Sequence, residues 1–377
     1  MVSPGSYVLS VALLAVLTLS LGFSAVRLRQ WLMPAWEGAP ARLVEAIVGV
    51  ALLIWISEVL GVLQLFYAGV LVAVAALVAG AVAVGPRVAG GGDAGASLGF
   101  SPEASSAVRD SEGGEKEDAA VPRRPLPPPP AGEERTGDGV GSWLPSLIAL
   151  GVVGLVFAHW GLTTADALGR GIFNFDSLWY HQPFAVEMAK SHSVTGIHYT
   201  ETVFTNWFYP QNSELLHSVG ILLTQRDTLS MFLNFGWLAV AFLAAWCIGR
   251  PYGKGPLTVV AAGVILECHT LVVREPGAAK NDLMAAALLL AAIAVLINAY
   301  RPRVAGGGAQ LIGWPLAVAG LAVGLAVGTK VTALAMAVAL SLGVLALAPT
   351  GKRWAAASWW FVPALAGGGY WYVRNLI

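Results

Sequence analysis

The chain has 377 residues, 56% of them hydrophobic and only 12% charged, with Lys+Arg 22 matched by Asp+Glu 22. A soluble domain carries about 25% charged residues, so an ordinary water-soluble enzyme is excluded, and the zero net charge removes the basic surface that nucleic-acid binding requires. A mean hydropathy of +0.69 over the whole length predicts an all-α integral membrane protein with many spans.

Three apolar runs come first, at about 7–26, 43–62 and 65–84. Each approaches the roughly 20 helical residues that cross a hydrocarbon core of about 30 Å. The first has no Lys or Arg before it, and it exceeds the roughly 7–15 apolar residues of a secretory signal, so it reads as a retained span. Residues 86–141 differ in kind: a Gly/Ala/Ser-rich start, an acidic stretch from Ser111 to Asp118, Arg123-Arg124, and prolines from Pro127 to Pro130. Such a composition cannot bury a core and reads as a disordered linker. Seven runs follow, at about 143–161, 228–248, 256–273, 281–299, 311–328, 331–348 and 355–372. The expected organisation is therefore three N-terminal helices (1–85), the linker (86–141) and a seven-helix core (142–377), a polytopic bundle of about ten transmembrane helices. Cys247 and Cys268 fall in successive runs too far apart to bridge and read as buried helix residues.

Basic residues orient the bundle. With the N-terminus outside and ten crossings, 15 of the 22 Lys/Arg fall inside, including all six of the linker, and 7 fall outside. The positive-inside rule favours this arrangement. It makes the linker cytoplasmic and the loop at about 162–227 extracytoplasmic, in a plasma (inner) membrane protein. The stretch from Ser213 to Gln225 is apolar on one side and short for a span, so it reads as an amphipathic helix on the outer surface. The outer loop interleaves Trp179, Tyr180, Tyr199, Trp207, Phe208 and Tyr209 with charges, and all six histidines lie on this side. The histidines form no HxxxH or HExxH pair, which gives a zinc site little support.

The chemistry-bearing candidates collect on the same face. Asp176 opens an amphipathic stretch; a helix cap and a general base are both open to it. Asp282 begins a helix, where the dipole alone would favour it. Lys330, in a short turn, either snorkels or binds a lipid phosphate. His181 reads as a packing or hydrogen-bonding residue, and Glu187 and Lys190 as a solvated pair one turn apart. Glu267 lies within a run, where an ionisable residue suggests function.

The order of FDSLWYHQPFA from Phe175, FYPQNSELLHSVGILL, AAKNDLMAAALLLAA, GLAVGTKVTAL and WYVRN resembles the GT-C superfamily of polyprenyl-phosphate-sugar-dependent glycosyltransferases. Within it the chain is similar to protein O-mannosyltransferases and lipid A aminoarabinose transferases. The resemblance implies that Asp176 is the first-loop acid acting as general base and Asp282 the second-loop acid. Lys330 and Arg374 would bind the donor phosphate, and His181, Tyr180, Glu275 and Lys280 would line the substrate. It implies inversion at the sugar, a polyprenyl-phosphate-linked donor, a glycan, lipid or protein acceptor of the cell envelope, and contact with membrane lipids. A divalent ion, Mg2+ or Mn2+, stays open, with Asp176 and Asp282 as its ligands if one is held. Where relatives carry adjacent acids this chain has Asp176-Ser177, and it stops soon after the last run, so it reads as a shortened or partial member. A transporter or flippase of lipid-linked sugars, or a non-catalytic membrane partner subunit, is the alternative.

Overall fold

Leu, Val and Ala fill long stretches with few breakers, and the backbone, which has no water to bond to in hydrocarbon, closes its hydrogen bonds within helices. The computed structural model describes residues 4–85, 143–304 and 312–376; the expected linker lies outside the described residues. Among those described, every regular element is helical: α1 (Pro4–Leu32), α2 (Gly38–Val62), α3 (Ala68–Val84), α4 (Leu144–Arg170), α5 (Gln182–Ser191), α6 (Asn212–Thr224), α7 (Thr228–Gly249), α8 (Gly255–Leu266), α9 (His269–Arg274), α10 (Asp282–Val304), α11 (Trp314–Val327), α12 (Ala333–Leu347) and α13 (Arg353–Arg374).

Five segments are long and apolar enough to cross a membrane: Pro4–Leu32, Gly38–Val62, Leu144–Arg170, Thr228–Tyr252 and Asp282–Tyr300. The apolar helices α3, α8, α11 and α12 have 17, 12, 14 and 15 residues. At about 1.5 Å per residue they reach only about 18–26 Å. The expected span at 256–273 is broken: α8 stops at Leu266, and α9 restarts at His269. The Glu267 carboxylate at the break lies 2.7 Å from Nδ1 of His159 on α4. Cys268 is exposed there, whereas Cys247 is buried and both are free, so the expectation of two buried thiols holds for one.

Two further expectations change. Helix α4 continues nine residues beyond the expected end at 161, so the long connection that follows it starts at Gly171 rather than at 162. Helix α6 does not lie on a surface. Eleven of its thirteen residues are buried, and it packs against α1, α2, α5 and α7. Its polar residues face protein backbone rather than water. Asn212 donates to the carbonyls of Leu325 and Gly367, Ser213 to that of Lys280, and Trp371 donates to Asn212 Oδ1 at 2.6 Å.

Residues 4–85 do not stand apart from the core: α2 packs on α6, α7, α10 and α11. Helices α11 and α13 approach so closely that a Cβ at Gly324 would come within 2.0 Å of the Ala364 carbonyl oxygen, the small-residue packing expected where lipid supplies no hydrophobic drive. That contact fixes the Gly328-Thr329-Lys330 turn at the end of α11.

Candidate active site

The first-loop element opens at Asn174. Its Oδ1 accepts from the backbone N–H of Ser177 at 3.3 Å, so Asn174 is the helix cap. Asp176 sits inside the first turn, makes no capping bond and is left free for another partner. The helix then widens into a π-helical turn, Ser177–His181, before α5. Pro183, which has no N–H, leaves the ladder bond to Trp179 unmade there, a common origin of such turns at functional sites.

The second-loop element, between α9 and α10, is held through its backbone by polar side chains from around it. Asn234 donates to the Glu275 carbonyl at 2.7 Å. Ser177 accepts from the Ala279 N–H and donates to the Ala279 carbonyl, both at 3.1 Å. Asn281 donates to the Thr329 carbonyl at 3.1 Å, joining this loop to the Lys330 turn. Gly277 adopts φ +66, and a Cβ there would meet that of Ala167 at 2.5 Å, so the loop closes on α4 only with glycine at this position.

This framework brings together residues from three separated stretches of the sequence. Nζ of Lys280 lies 3.4 Å from Asp176, 3.4 Å from Glu275 and 3.3 Å from Asp282. Lys330 pairs with the other oxygen of Asp282. The cluster is graded in exposure: the Lys280 and Glu275 side chains are 6% and 2% exposed, whereas those of Asp176, Asp282 and Lys330 are 40%, 35% and 29% exposed. Burial, with the Asp282 charge adding to it, pushes the Glu275 carboxyl up to about 7 against the opposing pull of Lys280. Burial works against the Lys280 charge, but Glu275, Asp282 and Asp176 outweigh it and hold the ammonium above the usual lysine value.

Tyr180 and His181 form the inner wall. His181 is fully buried, with Nδ1 2.5 Å from Glu214 Oε1 on α6, and the Tyr180 ring lies 4.0 Å from the His181 ring. Burial and the charges of Glu214, Asp176 and Asp282 raise the Tyr180 phenol, which therefore stays protonated among the three acids. His217, one turn along α6, is driven to about 3 by burial and by His181, so its ring is neutral.

Arg374 is not ion-paired with this cluster. Its guanidinium stacks 3.7 Å from the Trp207 ring and donates to the Trp207 carbonyl, Gln211 and Asn375. Glu187 accepts from the Tyr199 hydroxyl at 2.8 Å in place of the expected pairing with Lys190. The sequence reading passed over Asn174, Ser177, Glu214 and Glu201, whose buried carboxylate accepts from the N–H groups of Val203, Phe204 and Asn206.

A divalent ion held by Asp176 and Asp282 does not fit this arrangement, because the Lys280 ammonium stands between their carboxylates. Among the described residues, no group of three His, Cys, Asp or Glu side chains is arranged to hold a metal. No known family model, curated protein or solved structure matches this chain.

Proposed function

We propose that the protein is a membrane glycosyltransferase of GT-C type that moves a sugar from a polyprenyl phosphate to an acceptor hydroxyl, with Asp176 as general base. The observation that carries this is the Asp176 carboxylate itself: relieved of capping by Asn174, it is part-exposed and directed at Lys280, beside the Asp282–Lys330 pair. A carboxylate and cations at one depth supply what the reaction needs. Asp176 takes the acceptor proton as the hydroxyl oxygen bonds to the anomeric carbon. The bond from that carbon to the phosphate oxygen breaks, and polyprenyl phosphate departs with its new charge facing Lys330. A single displacement of this kind inverts the sugar. Asp282 fixes the Lys330 ammonium, and Tyr180 offers a protonated hydroxyl at the wall of the site.

The same proposal takes the shorter apolar helices and α13 as further crossings of a bundle of about ten. It places the cluster on the extracytoplasmic side of the plasma membrane, where the donor headgroup and a cell-envelope glycan, lipid or protein acceptor would meet. A transporter would be expected to place ionisable groups deep in several spans. Of the three acids within apolar runs, Glu45 pairs with Arg29 and Arg42 and Glu267 with His159, while Glu58 is buried in α2. The deciding experiment is sugar transfer by the purified chain in nanodiscs, supplied with polyprenyl-phosphate sugars and scored for lipid-phosphate release. Release that no acceptor stimulates, together with vesicle uptake of the donor, would favour the transporter.

A further inference from the structure

Asp176, Glu275 and Asp282 each direct a carboxylate oxygen at one atom, Nζ of Lys280, at 3.4, 3.4 and 3.3 Å. The three acids come from different elements: the helix opening after Asn174, the end of α9 and the start of α10. The backbone on either side of Lys280 is tied down. Ser177 pins Ala279 before it, Ser213 bonds its carbonyl, and Asn281 after it is tied to Thr329. In carboxylate-lined sites that handle phosphate groups, this central place is commonly a divalent cation's, which holds the acids together and counters negative charge.

We propose that Lys280 is the built-in cation of this site, so that the cluster neither binds nor uses a divalent metal ion. An ammonium has three donors and no acceptor, a match in number for the three carboxylates around it. Its contacts are longer than the roughly 2.7–2.9 Å of a tight charge-assisted bond. The ammonium is therefore shared among the acids and free to move toward negative charge developing on a departing phosphate. The charge count agrees. Asp176 and Asp282 balance Lys280 and Lys330, and only the buried Glu275, itself facing Lys280, adds further negative charge. Where it concerns turnover, the inference rests on the transferase reading; where it concerns cation binding, it stands on the geometry alone.

The test uses the full chain in nanodiscs with Mn2+ as probe, read by electron paramagnetic resonance. Wild type and Asp282→Asn should show the same weak background binding at millimolar Mn2+, and sugar transfer should be unchanged by EDTA. Lys280→Met should acquire an Mn2+ site that the wild type lacks. If that variant does not fold, Lys280→Met combined with Glu275→Gln, which removes the buried acid with its partner, serves instead. If neither folds, the wild-type comparison decides. Mn2+ bound by the wild type and lost in Asp282→Asn, or transfer abolished by EDTA and restored by Mn2+, would overturn the proposal. Absence of transfer under all conditions would sink the transferase reading while the Mn2+ measurement still decides the role of Lys280.

Discussion

Asp176 and Lys280 meet across 3.4 Å although helices α5 to α9 lie between them in the chain. The meeting depends on Ser177, the residue next to Asp176, which grips both backbone groups of Ala279, the residue next to Lys280. One buried hydroxyl thereby sets the register between the two loops, and the charged residues beside it follow. The placing of Asp176 against Lys280 thus hangs on a neighbour that carries no charge.

The first expectation concerns Asp176. General-base catalysis is commonly worth about 10²–10⁴-fold, so Asp176→Asn should lose turnover by about that factor while donor binding stays near the parent value. Helix stability should change little, because Asn174 and not Asp176 supplies the cap. Transfer rates and donor affinity, measured side by side, check this; a variant within a few fold of the parent rate would remove Asp176 from the chemistry.

Lys330 and Arg374 should separate in their effects. Lys330 is part-exposed beside Asp282, and its replacement by Met should weaken binding of a polyprenyl-phosphate sugar by about 1.5–3 kcal/mol, the range for a hydrogen bond to a charged group. Arg374 is engaged by two tryptophan rings and by the carbonyl of Trp207, so Arg374→Ala should lower thermal stability and leave donor affinity close to normal. Equal losses of donor affinity in both variants would contradict the separation.

Much of this architecture was legible in the residues. The apolar runs announced the five long helices, and the polar motifs put Asp176, Asp282, Lys330 and Arg374 on one face; the first three do come together, around Lys280, whereas Arg374 is engaged by Trp207 and Gln211 instead. What failed has a common cause. Span counting assumes that an apolar run is one helix, and nothing in the run at 256–273 shows that Glu267 would leave the helix to reach His159. Reading 213–225 as a surface helix assumes that polar side chains seek water; here Ser213, and Asn212 before it, seek the carbonyls of Lys280 and of Leu325 in α11. Asn174 and Ser177 were invisible for the same reason, since a hydroxyl or amide that bonds backbone leaves no charge pattern.

The topology should be open to labelling. With single cysteines at Ser105 and Thr195 in a background without Cys247 and Cys268, an impermeant maleimide on intact cells should modify position 195 and spare position 105. The reverse result would move the charged cluster to the other side of the membrane.

Glu275 should impose a pH dependence on stability. Its carboxyl is held near 7 in the fold against an ordinary 4.5, so as pH rises through this window the unfolded chain releases the proton first. The fold is progressively disfavoured by about 3 kcal/mol at full effect. Glu275→Gln cannot ionise. Its melting temperature should equal or fall below that of the parent near pH 4.5 and gain on it steadily up to pH 7 and above. A difference that does not vary with pH would mean that folding leaves the Glu275 pKa at its ordinary value.

Ser177 offers the sharpest contrast between a missing acid and a built contact. The resemblance read from the sequence implies a second carboxylate where this chain has Ser177, so Ser177→Asp has the form of a restoration. The site is fully buried, however, and the hydroxyl bonds both backbone groups of Ala279 while also lying 3.4 Å from the acceptor Asn174 Oδ1. A carboxylate there could accept from the Ala279 N–H but would face the Ala279 carbonyl with a second acceptor, in a place where an unpaired charge costs several kcal/mol. Ser177→Asp should therefore fold poorly and gain no activity. Ser177→Ala should fold, lose about 1–3 kcal/mol for the unpaired backbone groups of Ala279, and lose turnover as Lys280 slips out of register. Thr keeps the hydroxyl, and Ser177→Thr should recover much of both if the extra methyl is accommodated. Thermal melts and transfer rates across the three variants check the ordering; an active Ser177→Asp protein of normal stability would show that the position belongs to the chemistry after all.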